Sequence, residues 1–210
     1  MKRLCLAVGM VLLFGVSFSA RGQNETLPEG GVDARADAAG FSRQLGHVDP
    51  QVRQRAAEAL ARLAANDQRK LVEGYQLQEK NKEVRLALDW ALYRMGKSDT
   101  LFRIVKEINS SRRDQSIGYL KQLESPSLLY PFLNQASSQA KISVGLLEVL
   151  GQLGDAESLE IIKPHRDSFV PGVAAAAEVA VEQIETRLGQ PQTTQPSRPR
   201  TVSSAENPSP

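Results

Sequence analysis

The sequence predicts an all-α fold, a solenoid of about five helical hairpins, and three observations predict it. An amphipathic helical pattern recurs at near-constant spacing along the chain. Residues suited to capping a helix recur at its start. Aromatics make up only 5% of the 210 residues, against 41% hydrophobic overall. Such an Ala- and Leu-rich composition suits closely packed helices, because these side chains lose little rotamer freedom in a helix and Ala lets helices approach.

The clearest copy is "DPQVRQRAAEALARL", which begins at Asp49. Asp49 is placed to cap the free N–H groups of a helix start, and Pro50 suits the first helical position because its missing donor would be unpaired there anyway. Val52, Ala56, Ala59, Leu60 and Leu63 then fall on one helical face. In "NKEVRLALDWALYRMG", Asn81 takes the cap position, and Val84, Leu88, Ala91, Leu92 and Met95 repeat the stripe. The Leu60 and Leu63 positions recur at Leu120 and Leu123, Leu150 and Leu153, and Val181 and Ile184. Successive spacings are therefore about 32, 28, 30 and 31 residues, a periodicity that signals stacked units. Asn109 falls on the cap position of the third copy and Pro171 on that of Pro50 in the fifth. Shorter apolar pairs precede each of these helices: Phe41 with Leu45, Leu71 with Leu77, Leu101 with Val105, Leu128 with Phe132, and Leu159 with Ile162. Each unit thus reads as an outer helix followed by an inner one, and stacking gives the units a shared core that an isolated hairpin could not build.

The flanks differ in kind. Met1, Lys2 and Arg3 precede an apolar run over residues 4–18 and then small residues, the layout of a secretory signal peptide over 1–22. Cleavage after Gly22 leaves Gln23 first, with cleavage after Ser19 as the alternative. An uncleaved anchor helix is the other reading, because the apolar run approaches membrane-spanning length. The chain is therefore expected to be exported, periplasmic or secreted. Residues 23–34 read as a linker, 35–188 as the repeat domain, and 189–210 as a disordered tail rich in Pro, Ser and Thr. Cys5, the only cysteine, lies inside the leader, so a mature chain would carry no thiol.

The stretches "DPQVRQRAAEALARL" and "VLGQLGDAESLEII" resemble HEAT repeats, in particular the short HEAT-like repeats of phycobiliprotein lyases. The resemblance runs over residues 35–188 and is clearest in copies one, two and four. It implies a right-handed, armadillo-like α-α solenoid whose inner helices line a concave groove. It also implies a function in protein or peptide binding, or, in the lyase branch, bilin chemistry. A signal peptide sits poorly with the latter, since bilin attachment accompanies cytoplasmic light-harvesting proteins.

Motifs that carry chemistry are not found. His47 and His165, the two histidines, lie in loops four units apart with no metal-ligand neighbour at fixed spacing. No nucleophile elbow, phosphate loop or dinucleotide fingerprint is present. Glu157 with Glu160, and Glu182 with Glu185, read as solvated helix faces. The expectation is a non-enzymatic chain with no catalytic, cofactor or metal residues. A net charge of +2 argues against nucleic acid, and a membrane enters only through an uncleaved leader.

The inner helices offer one unusual set of side chains. Opposite the buried stripe, copy one carries Gln54, Glu58 and Ala61, whereas copy two carries Leu86, Trp90 and Tyr93, with the chain's sole Trp among them. Later copies carry Asp114, Gly118 and Lys121, then Val144, Glu148 and Gly151, then Ala175, Val179 and Glu182. Leu86, Trp90, Tyr93 and Lys121 are thus the candidate partner-binding residues, with Gly118 and Gly151 leaving room beside them. Aromatics often anchor interfaces. The competing reading buries Trp90 within the chain. Charge is also uneven: residues 51–113 carry 14 basic and 8 acidic side chains, and residues 114–188 carry 5 and 10. Arg53, Arg85 and Arg113 recur on one flank, and Arg62 with Arg94 on the other, either bridging neighbouring units or staying solvated; the sharper reading is that the basic end meets an acidic partner or membrane surface, or that monomers associate head to tail. The sequence therefore points to an exported scaffold that binds a protein or peptide in its groove, with a bilin-lyase-like enzyme or a structural envelope component as alternatives.

Overall fold

The computed structural model describes residues 30–136 and 139–189. The leader, most of the linker and nearly all of the tail lie outside these residues. Among the described residues the protein is all-helical, with no strand. Ten α-helices follow one another: α1 Gly30–Gln44, α2 Pro50–Arg62, α3 Arg69–Gln78, α4 Lys82–Arg94, α5 Thr100–Lys106, α6 Arg113–Leu120, α7 Tyr130–Gln135, α8 Ala140–Leu153, α9 Ala156–Ile162 and α10 Pro171–Gly189. Single 3-10 turns lead into or extend several of them, at Asn66–Gln68, Glu107–Asn109, Pro126–Leu129 and Lys163–Asp167. The first helix begins at Gly30, within the residues read as linker. No described helix is long and apolar enough to cross a membrane.

Local sequence accounts for the two best-formed units. The Asp49 carboxylate accepts from the Gln51 N–H at 2.8 Å, with Pro50 in the first turn. Asn81 does the same for Val84 at 3.0 Å. Both helices end alike, with a residue in left-handed backbone: Ala64 at φ 44° after α2 and Gly96 at φ 87° after α4. The Ala65 N–H then reaches back to the Leu60 carbonyl and that of Lys97 to Leu92, closing the last turn in a Schellman arrangement. Pro171 opens α10, as its spacing predicts.

The third unit departs from the pattern. Asn109 is not a cap; it lies in the 3-10 turn Glu107–Asn109, and α6 starts four residues later with no side-chain cap. The short spacing into this unit leaves α6 only 8 residues. Ser110 replaces the missing cap locally, accepting from the Arg112 N–H while its hydroxyl donates to Glu107.

Each odd-numbered helix packs on the even-numbered helix after it, and α2, α4, α6, α8 and α10 meet in succession, most closely at α2/α4 and α8/α10. The core extends without a break from Ala38 to Ile184 and includes Leu60, Leu88, Leu92, Leu120, Leu150 and Ile184 from the recurring stripe. Three apolar assignments differ, one of them Leu128, which is exposed while its neighbour Leu129 turns into the core. Leu63 is exposed at the end of α2 although its counterpart Met95 is buried. In α3 the buried side chains are Val72 and Gln76, not Leu71 and Leu77, which face solvent. Gln76 faces inward because its amide donates to buried Asp89 at 3.1 Å, and Arg103 of α5 reaches the same carboxylate oxygen at 3.2 Å. Burial pushes the Asp89 carboxyl above its ordinary range, against the pull of Arg103. This polar clamp ties α3, α4 and α5 together.

Of the recurring flank arginines, Arg53 and Arg113 bridge units, whereas Arg85 bonds within its own. Arg53 forms a two-pronged pair with Glu79 at 2.7 and 3.0 Å and also donates to the His47 and Val48 carbonyls. Arg85 donates to the Glu79 carbonyl, and Arg113 reaches Glu148 of α8 at 2.7 Å. Arg187 of α10 donates to the carbonyls of Gly151, Gln152 and Gly154, satisfying the C-terminal end of α8.

Candidate functional site

Glu58, Trp90 and Gly118 occupy equivalent positions in three successive even-numbered helices, and a cavity of about 310 Å³ opens where α2, α4 and α6 meet. It is lined by Glu58, Arg62, Trp90, Gln115, Gly118, Tyr119 and Gln122. Glu58 and Arg62 sit one turn apart on α2, and Gln115, Gly118 and Gln122 follow the same spacing on α6 and just beyond its end.

Trp90 forms the floor. Its indole is only 3% exposed and is stacked by Tyr93 of its own helix (centroids 5.5 Å apart, planes at 18°) and by Tyr119 of α6 (5.5 Å, 2°). The Arg94 guanidinium lies 5.8 Å from the ring centroid, close enough for a cation–π contact. Leu86 is 2% exposed beneath it and Tyr93 is half-buried. Of the two readings open to the sequence, burial within the chain describes the indole: Trp90 lines the cavity, but most of its surface is spent on packing.

Tyr119 closes the arrangement. Its hydroxyl donates to Glu58 Oε1 at 2.7 Å and accepts from Gln115 Nε2 at 2.9 Å. Gln54 Nε2 donates to the same Glu58 oxygen at 3.0 Å, and Gln115 Nε2 also reaches the Glu83 carbonyl. First and third units are thereby joined across the top of the second. Burial, and then the hydrogen bond to the Glu58 carboxylate, push the Tyr119 phenol far above its ordinary value, so it stays a neutral donor.

Lys121 belongs elsewhere. Its ammonium pairs with Glu148 Oε1 at 3.1 Å, bridging the end of α6 to α8, and it does not line the cavity. Burial alone would raise the Glu148 carboxyl, yet hydrogen bonds and charge from Lys121 and Arg113 hold it below its ordinary range. The two glycines also part company. A side chain at Gly118 would meet open space, so this position does leave room above the floor. One at Gly151 would collide with Gln183 and approach the Ala180 Cα to 3.1 Å, so Gly151 serves the close packing of α8 on α10.

Tyr119, the residue that completes the site, is not singled out by the inner-face positions. The available signal was its place in the repeat: it aligns with Ala59, Ala91, Val149 and Ala180, and a large polar aromatic stands only there among small or aliphatic side chains. Glu58 and Gly118 were legible as inner-face positions, and Arg62 as a flank residue.

The remaining titratable groups are arranged for structure. His47 accepts the Asp49 N–H on Nδ1 at 3.0 Å, next to the cap of α2. His165 is half-buried in the turn before α10, and loss of solvation lowers its pKa. Among the described residues no group of three or more His, Cys, Asp or Glu side chains converges as a metal site would require. The cavity offers hydrogen-bonding and aromatic surface: a guanidinium, two amide side chains, one carboxylate already engaged by two donors, and an indole. Compared with known proteins, the chain matches no family model, and no curated protein or solved structure is similar to it.

Proposed function

We propose that this chain is an exported scaffold, a right-handed solenoid of HEAT-like hairpins, that binds a protein or peptide partner on the face formed by its even-numbered helices. The supporting observation is the cavity over Trp90. It combines polar side chains, whose amide N–H groups are partly engaged within the chain, with aromatic surface and an open position at Gly118, and such a mixture suits recognition of a polypeptide segment. Arg62, Gln115 and Gln122 would supply its hydrogen bonds. Trp90 and Tyr119 would supply apolar contact, already held in place by stacking, so that little conformational freedom is lost on binding. Leu86 and Tyr93 support this surface from below and beside it. Lys121 lies at the end of α6, on the side that meets Glu148 of α8, where a longer segment would reach it.

The succession of paired helices supports the solenoid reading, as does the recurrence of one cap and one helix end in the first two units. A photo-reactive amino acid in place of Gln122, at the cavity rim, tests the binding surface in the producing cell. Discrete crosslinked products are expected from Gln122, and none from Leu77, which is also exposed but lies on α3. Products from Leu77 with none from Gln122 would overturn the proposal.

A further inference from the structure

Two apolar features lie away from the cavity and are not used by it. The first is a groove between α5 and α7, about 310 Å³ in volume, lined by Phe102, Val105, Phe132 and Ile142 with Lys106 and Gln135 beside them. Phe102 is 57% exposed, an uncovered aromatic wall. The second is the loop between the turn Lys163–Asp167 and α10. Phe169 there is fully exposed, and Val170 beside it is 40% exposed. This loop is tied down. Arg166 makes two hydrogen bonds to Glu178 of α10, at 2.6 and 2.9 Å. The Ser168 N–H donates to the His165 carbonyl, and the Ser168 hydroxyl accepts from the Val170 N–H. An aromatic side chain held in water on a fixed loop is a knob, and a groove walled by two phenylalanines has room for one such ring.

Charge selects between occupants. Lys106 beside the groove has no ion-pair partner among the described residues. On the loop, Lys163 and Arg166 are already paired with Glu160 and Glu178, whereas Asp167, two residues before Phe169, has no such partner there. The unmatched cation of the groove and the unmatched anion of the knob lie in the basic and acidic stretches respectively. Knob and groove are far apart in sequence on different helix pairs, and Phe169 is free of the chain's own core.

We propose that Phe169 of one copy inserts into the Phe102–Phe132 groove of a second copy, with Asp167 set against Lys106. One ring and one ion pair make a small contact, so the association belongs to the weak class of interfaces. None of the residues of this contact lines the cavity over Trp90.

Sedimentation equilibrium of the purified protein up to about 0.5 mM reads the proposal directly. Reversible self-association is expected, with F169A and F102A each raising the dissociation constant about tenfold or more. K106E should weaken association similarly, and D167K added to it should restore it by exchanging the two charges. All four side chains face solvent, so the fold is not at stake, and circular dichroism checks this. A wild-type protein monomeric throughout, association unchanged in F169A, or failure of the charge exchange to restore it would each overturn the proposal.

Discussion

Ala64 carries a cost that its counterpart Gly96 does not. Both close an inner helix in left-handed backbone, but a Cβ at φ 44° crowds the carbonyl that follows, and only glycine escapes this. Ala64→Gly should therefore stabilise the protein by about 0.5–1 kcal/mol, a rise of roughly 2 °C in thermal midpoint for a chain of this size. Thermal unfolding followed by circular dichroism checks it, and a lowered midpoint would count against the left-handed assignment. The repeat made this position legible, since Ala64 aligns with Gly96; Tyr119 was harder to read. Its importance comes from two partners, Trp90 and Glu58, that lie on different helices, and no spacing rule on α6 alone brings them together. Trp90 is the sole tryptophan, so its fluorescence reports on this contact without interference. Tyr119→Phe keeps the stacked ring and removes the hydroxyl's two hydrogen bonds, to Glu58 and from Gln115, so it should cost about 1–3 kcal/mol with the emission maximum unmoved. Tyr119→Ala uncovers the indole and should shift the emission to the red. Unshifted emission in Tyr119→Ala would show that the indole is covered by something else.

Helix pairs are joined by arginines that reach from one unit to the next, and the Arg53–Glu79 pair is the best sheltered. Hydrogen bonds from Arg53, opposed by burial and reinforced by the Asn81 N–H, hold the Glu79 carboxyl below its ordinary 4.5. A carboxyl whose folded-state pKa is depressed contributes its full stabilisation above the unfolded value and loses it as pH falls through the folded one. The thermal midpoint should therefore drop as pH falls below about 4.5, and Glu79→Gln should show a lower midpoint at neutral pH but a shallower acid loss. Parallel acid profiles for the two proteins would contradict this role. At this scale the sequence was informative where helix signals were strong. Asp49, Asn81 and Pro171 sit at the helix starts their spacing predicts. The reading of Asn109 failed because the third unit is shorter, and the preceding helix tightens into a 3-10 turn that absorbs the cap position. Leu71 and Leu77 misled for a different reason: α3 turns a polar residue inward, because Asp89 across the interface needs the Gln76 amide.

Over the whole molecule, the even-numbered helices share one continuous core, so damage at one unit is felt beyond it. Leu60 is fully buried between α2 and its neighbours, and Leu60→Ala should cost about 2–5 kcal/mol. Chemical denaturation should show that loss as a lowered midpoint of a single transition, and an unchanged midpoint would place Leu60 outside the core. The recurring stripe made this core legible, since apolar periodicity reports burial directly. The binding face was only half legible. Spacing assigned Glu58, Trp90 and Gly118 to equivalent positions, but whether a large ring there stands up into solvent or lies down under a neighbour depends on how far adjacent units tilt together. Here Tyr119 of α6 stacks on the ring and covers it. The proposed binding surface is the space above Trp90, and the direct test is to fill it. Gly118→Trp starts a bulky side chain at a position whose Cβ would meet nothing within 4 Å, on the cavity side of α6. With the photo-reactive residue at position 122 in this background, the crosslinked products should disappear while the thermal midpoint holds. Products of unchanged yield and identity would contradict the assignment of this cavity as the place where the partner binds.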